Sequence, residues 1–153
     1  ICGKHLFKGN LKEEDLHGFP EQSDQFLQDE TLAYLIDFLD ENKAPAKRVY
    51  FASSASSLNS KTFPAALLKE KSVDVAILSI ALSQKAESYP IELVHLLNPQ
   101  NIVYCHWENF FRPRNKPLKF VSMTDYDKIK ESLDQLNPSI QQHFVKPGNS
   151  IVF

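Results

Sequence analysis

Ile102-Val-Tyr-Cys105, followed directly by His106-Trp-Glu-Asn-Phe-Phe111, is the stretch on which the fold turns. Its first four residues, rich in β-branched and aromatic side chains, read as a short buried strand. The run ends abruptly in a histidine set among Tyr104, Trp107, Phe110 and Phe111. Layered α/β sheets carry their sites at the carboxyl ends of strands. Whether His106 caps a strand of such a sheet therefore decides the architecture and the site together.

Upstream, the spacing predicts a helix over Tyr89 to Leu97, opened by Pro90, with Ile91, Val94 and Leu97 on one face and Asn98-Pro99 as its stop. Val73 to Ile80 is an apolar run broken by Asp74 and reads as a buried strand. Pro64 to Lys71 reads as a short helix with proline in its first turn. Thr31 to Leu39 fits a helical face (Leu32, Leu35, Ile36, Leu39) and a strand face (Leu32, Tyr34, Ile36, Phe38) equally well. The polar turn from Asp40 to Pro45 and the β run Arg48-Val-Tyr-Phe-Ala52 tip the reading to a hairpin. Residues 10 to 30 are polar and turn-rich and read as a long surface loop.

Downstream, Thr124 to Leu136 is the clearest helix. Thr124 is the expected N-cap, Asp125 and Asp127 suit the first turn, Ile129, Leu133 and Leu136 form the stripe, and Pro138 closes it. His143-Phe-Val, a Pro147-Gly148 turn and Ile151-Val-Phe153 predict a terminal hairpin. The order ββ, αβ, αβ, α, ββ argues α/β layers, in a single domain over residues 1–153.

Composition removes several classes of function. Hydrophobic residues at 42% and charged residues at 24% are those of an ordinary globular domain. A net charge of −2 gives no electrostatic reason to expect nucleic acid or an anionic membrane as partner. No apolar run approaches the roughly 20 residues of a membrane span. Ile1-Cys-Gly-Lys-His5 carries no signal-peptide pattern and no initiator Met, which leaves processing or further upstream sequence open. Cys2 and Cys105 could pair, though nothing in the sequence requires it; they make no disulfide framework, and a reducing, cytoplasmic compartment is expected. The four glycines, Gly3, Gly9, Gly18 and Gly148, leave the middle of the chain without the glycine loop of a P-loop or dinucleotide site.

Neutral imidazole is a good zinc ligand, and an apolar surround strengthens it. His106 is thus the sharpest candidate, although a core histidine satisfied by a backbone carbonyl is the commoner outcome for such a residue. His5, in a glycine-flanked segment, reads locally as a surface histidine. His17, His95 and His143 are assigned to no site. The cluster Ser53-Ser-Ala-Ser-Ser57 lacks the nucleophile-elbow pattern and suits turn and cap roles. Strand alternation puts Cys105 and His106 on opposite faces, against a joint role. Arg112, Arg114 and Lys116 form a basic patch that could meet an anionic group or simply be solvated. His-x-His, His-Glu-x-x-His and Cys-x-x-Cys are all absent.

Four segments, taken in order, resemble the C-terminal half of metallo-β-lactamase-fold hydrolases, in particular the branch with the ascorbate-phosphate lactonase and phospholipase D-like enzymes. Arg48-Val-Tyr-Phe-Ala-Ser-Ser54 is similar to the strand that runs into that family's Gly-Asp. Val73-Asp-Val-Ala-Ile-Leu-Ser-Ile80 is similar to its next buried strand. Pro99-Gln-Asn-Ile-Val-Tyr-Cys-His-Trp-Glu-Asn-Phe110 is similar to its last metal-ligand segment, and His143-Phe-Val-Lys-Pro-Gly-Asn-Ser-Ile-Val-Phe153 to its closing hairpin.

The resemblance implies the C-terminal half of an αββα sandwich, a mixed sheet with flanking helices. It implies a metal-dependent hydrolase that opens a phosphoester, ester or lactone with metal-activated water, with zinc as the cofactor and a small-molecule substrate. His106 matches the last histidine ligand and His5 the middle one; Ser54, Trp107 and Asn109 fall on the substrate side. Two departures matter. The family's His-x-His-x-Asp-His is absent, and its bridging aspartate falls at Ser54, a neutral hydroxyl. A degenerate, non-catalytic binding or scaffolding member of the fold is therefore the alternative. Half a sandwich also exposes an apolar sheet face, so an N-terminal half-domain or a partner chain is expected to cover it.

Overall fold

The computed structural model describes residues 32–55, 65–86, 88–113, 115–122 and 124–153. The expected loop over residues 10–30 lies outside them, as do His5 and Arg114.

The ambiguous N-terminal run resolves as the hairpin. β1 (Ala33–Leu39) pairs antiparallel with β2 (Pro45–Ala52), with Tyr34 opposite Phe51 and Ile36 opposite Val49. Asp40 closes the turn. Its carboxylate accepts the N–H groups of Asn42 at 2.8 Å and Ala44 at 2.9 Å, while Lys43 takes a left-handed backbone.

The next three connections each carry a helix. α1 (Ala65–Glu70) leads into β3 (Val75–Ser79), α2 (Ile91–Leu97) into β4 (Asn101–Cys105), and α3 (Tyr126–Leu136) into β5 (Gln141–Phe144). Asn98, left-handed at φ 41°, ends α2 before Pro99. Asp125 caps α3, its side chain accepting the Lys128 N–H at 3.1 Å. The expected cap, Thr124, instead directs its hydroxyl to the Ile80 carbonyl at 3.5 Å.

The sheet is mixed and five-stranded, in the order β1-β2-β3-β4-β5; β2 to β5 are parallel. That order never reverses. Parallel crossovers are almost always right-handed, so an order that always steps the same way lays every helix on one face. The burial follows. Tyr50, Ala52, Ala76, Leu78, Ile102 and Tyr104 share one core cluster with Leu93, Val94 and Leu97 of α2 and Leu133 of α3. Leu68 of α1 packs against it. On the other face, Tyr34, Ile36 and Phe38 remain 51%, 42% and 58% exposed, and Val49, Phe51, Ile77 and Val103 are half-buried.

Polar groups under the helices are fully paired. Arg48, 1% exposed, forks onto both carboxylate oxygens of Asp37 at 2.6 and 2.7 Å and donates to the carbonyls of Leu67 and Lys71. It thereby bolts β1, β2 and α1 together. Asp74, which interrupts the apolar run before β3, accepts the Arg48 N–H at 2.7 Å and pairs with Lys71 at 2.9 Å.

The terminal hairpin does not form. Phe144 ends a strand that pairs in parallel with β4, and Ile151–Phe153 is not a strand. Once β5 joins the sheet beside β4, the turn at Gly148 (φ 85°) carries the tail past it, and the Phe153 ring comes to rest 5.4 Å from that of His143. No helix among the described residues is long and apolar enough to cross a membrane.

Candidate functional site

The carboxyl ends of β2, β3 and β4 converge on Ser53 and Ser54, on Ser79 and Ile80, and on Cys105 and His106. The register pairs Ser79 with Cys105 and, one row back, links Ala52, Leu78 and Tyr104. Ser54 follows β2 and His106 follows β4, and those two strands stand two places apart, roughly 10 Å at ordinary strand spacing. The Cys105 thiol reaches back across this end of the sheet to within 4.0 Å of the Ala52 carbonyl.

His106 is exposed and takes a left-handed backbone, φ 52°, where residues other than glycine are uncommon. A continued strand would alternate its side chain away from that of Cys105. The left-handed turn breaks that alternation and brings the ring against Ser79, whose Oγ lies 3.3 Å from Nδ1. Ser79 is 1% exposed, and its carbonyl accepts the Tyr89 hydroxyl at 2.6 Å. The core-histidine reading therefore does not describe His106. Its ring is tethered on one side and open on the other.

Beside it lies a cleft of about 450 Å³ lined by His106, Trp107, Glu108, Phe110, Val145 and Pro147. Trp107, 8% exposed, forms its rigid floor, wedged against Phe120 and Phe144 at centroid distances of 5.4 and 5.5 Å. Asn109 stands further out. Its side chain accepts the Phe111 N–H at 3.2 Å, and it lines an adjoining cleft of about 510 Å³ with Arg112 and Lys116. Arg112 donates its Nε–H to the Pro117 carbonyl at 2.7 Å, so one member of the basic patch holds its own loop. Trp107 and His106 thus share a cleft, Asn109 belongs to the next one, and Ser54 stands across the sheet.

Burial pushes the Cys105 thiol up to about 11. It stays protonated at neutral pH, a poor nucleophile and a poor metal ligand. His143 is held away from this end, its Nε2 3.1 Å from Asn101 Oδ1. Among the described residues, no three His, Cys, Asp or Glu side chains come together in a way that would hold a metal ion. A catalytic zinc takes three protein ligands and an open position. His106 supplies one donor, and Ser54 offers no negative charge. The described residues alone do not fit a zinc centre.

Ser79 and Tyr89 were not among the residues expected at the site. The signal for Ser79 was a hydroxyl closing an otherwise apolar strand. No protein-family model, curated protein or solved structure matches this chain.

Proposed function

We propose that this chain forms the C-terminal layer of a metallo-β-lactamase-like αββα sandwich and serves metal-dependent hydrolysis of a phosphoester, ester or lactone. The observation that carries the reading is an exposed imidazole held at Nδ1, at the carboxyl end of a sheet whose described helices lie on one face. A one-sided sheet needs a second apolar layer against Tyr34, Ile36 and Phe38. An N-terminal half-domain or a partner chain would provide it and would form the other wall of the cleft. In this reading His106 is one zinc ligand and the other donors come from outside the described residues, with His5 the candidate within this chain. Trp107 and Phe110 would face the apolar part of a small-molecule substrate.

Ser54 favours a second reading. A hydroxyl in the place of a bridging carboxylate suits a binding or scaffolding protein that kept the layer and lost the metals. Metal content separates the two. Mass spectrometry of the intact purified protein should find zinc, and His106→Ala should lower it. Metal-free wild-type protein, or unchanged zinc in the variant, removes the hydrolase reading.

A further inference from the structure

We propose that the loop from Trp107 to Val121 docks on an anionic lipid surface, with the Phe111 ring entering the headgroup region and Arg112, Lys116 and Lys119 meeting the lipid anions. The proposal goes beyond the hydrolase reading and needs no metal.

Charge is the first observation. The whole chain carries 17 Lys and Arg against 19 Asp and Glu, yet between residues 107 and 121 Glu108 is the one acid beside Arg112, Arg114, Lys116 and Lys119. Salt limits an exposed charge's reach to about 10 Å, so a surface meets that local excess and not the chain's net charge. Elsewhere Arg48, Lys71 and Lys130 pair with Asp37, Asp74 and Asp134. Among the described residues, no carboxylate pairs with Arg112, Lys116 or Lys119.

Exposure is the second. Phe111 is 86% exposed and Phe110 67%, with their ring centroids 4.4 Å apart. Phe111 stands outside the linings of both clefts beside it. Adjoining bare aromatic rings with cations around them mark a contact surface.

The backbone favours lipid over a protein partner. Groups that leave water for a lipid interface need their hydrogen bonds already made. At the base of the loop, Asn109 N–H donates to the Lys119 carbonyl at 2.8 Å and Val121 N–H to the Trp107 carbonyl at 2.9 Å. At the tip, Phe111 N–H donates to Asn109 Oδ1 at 3.2 Å and Arg112 N–H to the Asn109 carbonyl at 3.0 Å. Lys116 N–H donates to the Pro113 carbonyl at 3.0 Å, and Pro113 and Pro117 have no N–H to satisfy. A protein strand pairing with this loop would need those donors free. The Arg112 Nε–H is held by the Pro117 carbonyl, and its remaining donors have no partner among the described residues.

The test is co-sedimentation of the intact purified protein with phosphatidylcholine vesicles, with and without phosphatidylserine. Binding is expected to the phosphatidylserine vesicles and should weaken as salt rises. Phe111→Ser should lower affinity about 10-fold or more, the weight of one phenylalanine ring taken out of water. Lys116→Gln and Lys119→Gln should each lower it about five-fold. Lys130→Gln makes the same charge change on α3, outside the loop, and should leave binding as it is. All four side chains are exposed, so urea midpoints should match wild type. The chain's single tryptophan, Trp107, is buried. Phe111→Trp therefore adds an indole at the tip whose emission should move to the blue on the anionic vesicles, while wild-type emission stays. No binding to phosphatidylserine vesicles, binding indifferent to Phe111→Ser, or an unmoved Phe111→Trp emission overturns the proposal. Polyglutamate that binds in preference to the vesicles also overturns it and gives the loop to an acidic protein segment instead.

Discussion

The two faces of the sheet are built from alternate residues of the same strands, yet they are different environments. Ile102 and Val103 are neighbours in β4; the first is 0% exposed under α2 and α3, the second half-buried on a face that no described helix crosses. Arg48 and Lys47 are neighbours in β2; the first is sealed and fully paired, the second exposed beside Phe38. The strand order explains the asymmetry. A sheet that winds both ways about its middle covers both of its faces, whereas one that steps always in the same direction covers one. Among the described residues, the lack of helices on this face is thus a consequence of topology, and it leaves Tyr34, Ile36 and Phe38 exposed.

The sharpest way to break the comparison is at Arg48 and Lys47. Arg48→Met leaves the Leu67 and Lys71 carbonyls without their buried donor and the partly exposed Asp37 carboxylate without its fork, and should cost about 3–5 kcal/mol, at roughly 1–3 kcal/mol for each buried acceptor left unpaired. Lys47→Met, one residue away on the bare face, should stay within about 0.5 kcal/mol. Urea midpoints read both. A Lys47 effect as large as that of Arg48 would mean the second face is closed. Next in size, Ile102→Ala opens a cavity beneath the helices and should cost about 2–5 kcal/mol. Ile36→Thr should cost no more than about 0.5 kcal/mol and should instead weaken association with whatever layer covers the face. Equal losses at the two isoleucines would abolish the distinction.

Most of this asymmetry was legible in the chain. The alternation of Tyr34, Ile36 and Phe38 marked an apolar strand face, and the proline-opened helix before Asn98-Pro99 gave the crossover into β4. The resemblance, not the periodicity, raised the expectation of a bare face; the strand order now gives it a physical cause. Two local choices were not legible. Thr124 and Asp125 are both good caps, and only the position of Ile80 drew Thr124 away from the helix end. The terminal hairpin failed although the outer edge of β5 was open to it; the Pro147-Gly148 turn was visible, but not that Ile151–Phe153 would stay out of the sheet with the Phe153 ring against His143. At the site, His106 was visible and its tether was not. Nothing in the residues around a histidine announces a left-handed backbone, and without it alternation would have kept the ring away from Ser79.

Acid should also act through the covered face. The Arg48 guanidinium, bonded to the Asp37 carboxylate, holds that carboxyl below its ordinary value. Burial opposes ionisation of Asp74, but the Arg48 N–H and the Lys71 ammonium outweigh it and hold this carboxyl low as well. A depressed folded-state value means that the unfolded chain takes up protons first as pH falls through the ordinary carboxylate range near about 4. The stabilisation is complete above that range and is lost below it. Urea midpoints taken from about pH 6 to pH 3 should therefore fall, and Asp37→Asn should flatten that fall while lowering the plateau. A variant whose acid limb matches wild type would show that the Arg48 fork does not govern it.

The smallest effect tests how firmly the cover is fastened. Asp125 satisfies one of the N–H groups left open at the start of α3, and Asp125→Ala should cost about 1 kcal/mol. Thr124→Ala, which removes only a long hydroxyl contact to Ile80, should cost less. The loss at Asp125 should appear first as faster amide exchange in the opening turn of α3, with β1 unchanged, because β1 meets the rest of the sheet through β2. Faster exchange spreading into β1 would mean that the cover and the bare-faced hairpin open together, and the two faces would then have to be treated as one cooperative unit rather than as a lid and its exposed reverse.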